Sequence, residues 1–192
     1  DNNTEVASNN FSLTANSYTD LAGNDGPSET TANYEVETRA PTVSSVAITG
    51  AGIQNNFLNA GDNVSVTVTF RESVIVDNAS GTPTLTLVVG TINPKATYTS
   101  GSGGKTMVFR YTIQAGETDD NGISIGANVL ALDNGTISDV AGNNATLTHS
   151  AVSDNSSYKV DTTPPTVSSV AITSATTGIQ NSFVNAGDNV SV

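Results

Sequence analysis

The chain has 192 residues, 36% of them hydrophobic and 5% aromatic, with 18 acidic against 6 basic side chains and a formal net charge of −12. That balance sets it against phosphate backbones and anionic lipid and makes divalent cations its natural partners, although acidity also serves plain solubility. There is no cysteine, which excludes a disulfide framework and any Cys-ligated zinc or iron–sulfur site, and no apolar run has the length of a membrane-crossing helix.

Taken in chain order, the first informative words are YTDLAGND at 18–25 and NYEVETRAP at 33–41. Both return later, as ISDVAGNN at 137–144 and SYKVDTTPP at 157–165. Next comes PTVSSVAITGAGIQNNFLNAGDNVSV at 41–66, which is met again as PTVSSVAITSATTGIQNSFVNAGDNVSV at 165–192. Pro41 maps onto Pro165, 124 positions on, and Asp62 onto Asp188, 126 positions on. A period of that length is a domain, not a solenoid turn. Residues 1–38 therefore read as the C-terminal part of one repeat, 39–163 as a complete repeat and 164–192 as the N-terminal part of a third. The chain opens on Asp1 without a Met and stops at Val192 within a strand-like pattern, so it is expected to be a segment of a longer array.

Within the complete repeat, period-two alternation dominates. Val64, Val66, Val68 and Phe70 alternate with Ser65, Thr67 and Thr69, and Met107, Phe109, Tyr111 and Ile113 alternate with Val108, Arg110 and Thr112. Both patterns predict half-buried strands. Shorter strands are predicted at 43–49, 84–89, 96–100, 123–125 with 129–132, and 157–161, although 127–132 reads equally as one helical turn. Turn signals separate them at Ala60-Gly61-Asp62, 101–104, Asn121-Gly122 and Asn134-Gly135. About seven short strands at this spacing predict an all-β fold, an immunoglobulin-like β-sandwich. Such a topology brings the incoming linker, the loop after Phe70 and the loop holding Asp139 to one pole. The loops at 59–63 and 115–122 meet the outgoing linker at the other.

Nothing in the sequence points to catalysis. The single imidazole, His149, lies in a polar stretch without a nucleophile partner and reads as a loop residue. No phosphate loop, dinucleotide fingerprint or HExxH pattern occurs. Calcium is the sharper expectation, since it needs several oxygen ligands. One cluster comprises Glu117, Asp119, Asp120 and Asn121 facing Asp161; the other comprises Glu72 and Asp77 approaching Asp139 and Asn143, with Glu35 or Glu37 from the incoming linker. Each has a plainer alternative: Asp139 and Asn143 brace a turn, and 119–122 is a hairpin loop. No EF-hand or nonapeptide pattern is present.

The phrases TFRE at 69–72, GTPTLTL at 81–87, YTIQAGETDDNGISI at 111–125, SDVAGNNATL at 138–147 and VDTTPPTV at 160–167 resemble the bacterial immunoglobulin-like repeats of giant, type I secreted, RTX-type surface adhesins. The resemblance spans the complete repeat and both partial ones. It implies an extracellular, monomeric extender whose sandwiches stack on neighbouring repeats, stiffened by calcium at the joints. Carried over by position, Asp161 is the linker carboxylate, Asp139 and Asn143 are the DxAGN residues with Asp20 and Asn24 their predecessors, and Glu72 is the Glu of the usual TFSE phrase. This chain departs at Arg71, where Ser is usual, and at Glu37-Thr38-Arg39, which replaces DTT. Those two cations are expected to weaken or replace the metal at the first joint. The rival reading is a binding module for a glycan or protein. It lacks an aromatic platform, since there is no Trp and Tyr98 and Tyr111 fall on the inward alternation.

Overall fold

A computed structural model describes residues 4–171, together with 173–174, 186 and 190–191. The chain divides into two compact units, Asp1–Thr162 and Thr163–Val192. Among the described residues there is no helix, and the fold is all-β.

The first unit begins with β1 (Glu5–Asn9), β2 (Ser12–Leu13), β3 (Glu29–Thr30) and β4 (Tyr34–Glu37). β1 pairs antiparallel with β4, and β2 with β3. A partial repeat of this size is expected to be disordered or to borrow strands from a neighbour, yet these strands pair with one another. Local pairing satisfies backbone groups without needing a core. None is formed, since Phe11 is 71% exposed and Leu21 fully so.

The complete repeat follows as β5 (Val43–Ala51), β6 (Phe57–Leu58), β7 (Asn63–Asp77), β8 (Thr84–Thr86), β9 (Lys95–Ser100), β10 (Gly104–Thr112), β11 (Thr118–Asp119), β12 (Leu130–Ala131), β13 (Thr136–Ser138) and β14 (Lys159–Asp161). Seven strands form one sheet in the order β12-β8-β9-β10-β7-β13, with β5 also paired to β7. A second sheet runs β11-β14-β6, its β14–β6 ladder parallel. Strand β7 is long enough to serve two partners on the edge away from β10: its first half holds β5 from Val43↔Phe70 to Ala51↔Asn63, and its end holds β13 at 75–77.

The alternation read in the sequence is the burial pattern of these strands. Val64, Val66, Val68 and Phe70 are buried on β7, and Met107 and Phe109 on β10. Against them pack Leu58 of β6 and Val160 of β14, with Ile113, Ile123, Ile125 and Ile137 in the same core. Two sheets thus close on one core as a β-sandwich. Tyr98 and Tyr111 are half-buried beside it, Tyr98 edge-on to Phe109 at 5.9 Å between ring centres. Residues 127–132 are not a helical turn: Ala127 and Asn128 make a turn, with Asn128 at φ 57°, before β12.

In the second unit β15 (Thr173–Ser174) pairs antiparallel with β16 (Val190–Ser191). Its register, Thr173↔Ser191 and Ser174↔Val190, repeats Thr49↔Ser65 and Gly50↔Val64 of the complete repeat. Within the second copy of the repeated opening, residues 172, 175–185, 187–189 and 192, Asp188 included, lie outside the described residues.

Candidate functional site

The two poles of the complete repeat lie at the two ends of the β5–β7 ladder. From Asn63 to Phe70 the ladder runs about 24 Å at the rise of an antiparallel strand. At the Phe70 end the incoming linker is held by backbone bonds, Arg71 N–H donating to Thr42 O at 3.0 Å and Thr146 N–H to Pro41 O at 2.8 Å. At the Asn63 end, Gly61 and Asp62 exchange bonds with Ile113, and the outgoing linker closes on the loop after β10. There Gly116 N–H donates to Thr162 Oγ1 at 2.9 Å, and Thr162 Oγ1–H to Glu117 O at 3.0 Å. These are the two groupings of loops that the sandwich topology predicts.

At the incoming pole the structure brings together Glu37, Glu72, Asp139 and Asn143. Glu72 sits on the core-facing phase of β7 between Phe70 and Val74, yet is only half-buried. Burial pushes its carboxyl up, and the negative charges of Glu37, Asp139 and Glu5 add to the push against the opposing pull of Arg39. A cleft of about 350 Å³ lies here, with five carboxylates in its wall: Glu5, Glu35, Glu37, Glu72 and Asp139. The remaining wall is largely apolar, including Val36, Ile75 and the 89% exposed Val140. Asp77, also expected here, belongs instead to the β7–β13 ladder, where its Oδ1 accepts from Ala79 N–H.

Asp139 and Asn143 act as a turn brace. Asp139 Oδ1 accepts from Asn143 N–H and Oδ2 from Asn143 Nδ2–H, each at 2.8 Å. Burial pushes the Asp139 carboxyl up, but these bonds and those from Gly142 and Ala141 outweigh it and hold the group below its ordinary value. The preceding repeat builds the same turn, with Asp20 accepting from Asn24 N–H at 2.9 Å and from Asn24 Nδ2–H at 2.8 Å. The second Nδ2 hydrogen of Asn143 does more, reaching Glu37 O at 3.2 Å and tying the loop to the incoming linker.

At the outgoing pole two of the expected ligands, Asp119 and Glu117, turn inward. Buried Asp119 accepts at Oδ1 from Gly122 N–H at 2.7 Å and at Oδ2 from Gly90 N–H at 2.8 Å. A Cβ at Gly122 or Gly90 would stand about 2 Å from the carbonyl oxygen of Asn155 or Thr118, so both approaches require glycine. Glu117 accepts from Tyr111 Oη–H and from Gln114 N–H. Burial and the Glu117 partner push the Tyr111 phenol up to about 12. Asp120 and Asp161 are exposed on neighbouring segments, Asp161 paired in register with Thr118.

Calcium takes six to eight oxygens, and among the described residues no three Asp, Glu, His or Cys side chains are arranged to hold a metal ion. Neither pole of the first unit is a finished calcium cage on its own residues. Sequence reading also passes over Glu5, which the β1–β4 ladder sets opposite Glu37, and Asp133, which accepts from Thr84 and from Lys95 Nζ. No spacing rule marks partners 34 to 49 positions apart. His149 braces the Asn128 turn, its Nε2 accepting from Val129 N–H at 3.0 Å. Comparison with family models, curated proteins and solved structures returns no match.

Proposed function

We propose that the chain is a stretch of a spacer, in which immunoglobulin-like sandwiches stacked end to end hold a distal adhesive domain away from a bacterial cell surface. The observation that carries this reading is that the two linkers attach at opposite ends of the β5–β7 ladder, each followed by the same PTVSSVAIT opening. A domain joined through its poles adds its full length with each copy. Pro41 and Pro164-Pro165 restrict the linkers further, because proline fixes φ and biases its predecessor to extended geometry.

Calcium belongs to this proposal at the outgoing joint, where Asp120 and Asp161 are exposed and no cation of the linker Asp161-Thr162-Thr163 competes. The ion would need further oxygens from the following repeat. With the ~0.1–1 mM constants of extracellular modules, a ten- to hundredfold excess of calcium adds roughly 1.4–2.7 kcal/mol per site. In a chain spanning two complete repeats, chelation is expected to lower the melting temperature and shorten the scattering dimensions. Melting and dimensions that ignore the chelator would remove calcium from the proposal and leave the spacer.

The rival binding module has one feature in its favour, a polar groove of about 530 Å³ between the start of β5 and residues 148–152. Its wall holds no Tyr or Phe, which weighs against a sugar platform. Glycan-array binding by a complete repeat would reverse the ranking.

A further inference from the structure

The first joint differs from the second by one cation that the fold has put to use. Arg39 follows β4, and its guanidinium meets Glu5 of β1, Nη2 to Oε2 at 2.5 Å. Its own backbone N–H donates to Glu37 Oε1, also at 2.5 Å, so the residue is fixed at both ends by carboxylates of the β1–β4 ladder. Its charge is also felt favourably by Glu72 of the complete repeat, on which Glu37, Asp139 and Glu5 act unfavourably. Arg39 is thus the counter-charge to a pole whose acidic groups come from both sides of the linker. Arg71, the second cation of this joint, contributes its main chain, its N–H donating to Thr42 O and its carbonyl accepting from Lys105 Nζ.

We propose that Arg39 takes the place of a bound divalent ion at the first joint, fixing the linker to the partial repeat through Glu5 and Glu37 and setting its charge against Glu72 of the complete repeat, so that this joint holds its geometry without metal. The guanidinium charge is held on Glu5 while the backbone N–H of the same residue holds Glu37, and a charge fixed there repels a second cation. One half-exposed ion pair is weak by itself. Here it acts beside the bonds from Asn143 to Glu37 O and from Thr146 to Pro41 O, which define the position that the charge has only to keep from being repelled apart. The two joints of this chain would then differ in kind: an arginine joint before the complete repeat and an Asp161-Thr162-Thr163 joint after it.

The proposal rests on the spacer reading only in treating 37–41 as a joint. The chain has no cysteine, so Ser28→Cys and Asn93→Cys, both at exposed positions, place one spin label on each side of that joint. Pulsed electron paramagnetic resonance on the full chain in chelator should give one narrow distance peak, unchanged by added calcium. Arg39→Thr, which copies the second joint, and Glu5→Gln, which removes the partner, should each lose the narrow peak in chelator, while Arg39→Lys should keep part of it. Melting of the complete repeat in the same variants checks that the exposed substitutions leave its core intact. A wild-type peak that narrows only with calcium, or a peak that survives both Arg39→Thr and Glu5→Gln in chelator, overturns the proposal. All decisive arms are read in chelator, so failure of calcium binding at the second joint leaves this result standing.

Discussion

Asp119, Glu117 and Asp139 show what carboxylates do in this acidic chain: each accepts from at least one backbone N–H and fixes a loop, Glu117 taking the Tyr111 hydroxyl and Asp139 the Asn143 side chain as well. Tyr111 makes the consequence measurable. Its phenol is pushed from 10 up to about 12 by burial and by Glu117, so the folded state holds that proton through a window in which the unfolded chain has released it. The stability from this proton is fully present below pH 10 and is lost as pH rises through about 12. Tyr111→Phe should abolish that alkaline slope and cost about 1–3 kcal/mol at neutral pH, because Glu117 keeps its burial and loses a donor. Denaturant melts of both proteins across the alkaline range check this; an unchanged slope would mean that another group sets it.

At the scale of elements, β7 organises the repeat, because it is the one strand that pairs with β5, β10 and β13. Its inward residues face Leu58 and Val160 of the second sheet across a single core. Phe109 of β10, fully buried and edge-on to Tyr98, belongs to the same core. Phe109→Ala should cost about 3–5 kcal/mol, a large share of the 5–15 kcal/mol typical of a domain. Thermal unfolding should show the loss as a shift of the whole transition. The β1–β4 region supplies the contrast: those strands have ladders but no second layer, and Phe11, Leu13 and Tyr34 remain exposed.

For the molecule as a whole the governing quantity is the net charge of −12. Self-repulsion of this size opposes compaction and is screened over about 10 Å at 0.1 M salt. Melting temperature should therefore rise with sodium chloride, and calcium at matched ionic strength should raise it further in a chain that contains a complete second joint. Equal rises in the two salts would mean screening alone.

The period of 124 residues, the alternation of β7 and β10, and the grouping of loops into two poles could be read without coordinates, since periodicity and duplication are properties of a linear string. Even the register of the second copy, Thr173↔Ser191, follows the first. Side-chain commitments could not be read that way. Asp119 and Asp161 look alike in the sequence, yet one is buried on Gly90 and Gly122 and the other is exposed beside Thr118. Glu5 and Arg39 become partners only because the β1–β4 ladder folds residues 34 positions apart onto one edge. A sequence repeats its strands by copying, whereas each carboxylate takes its role from the donors that folding places around it.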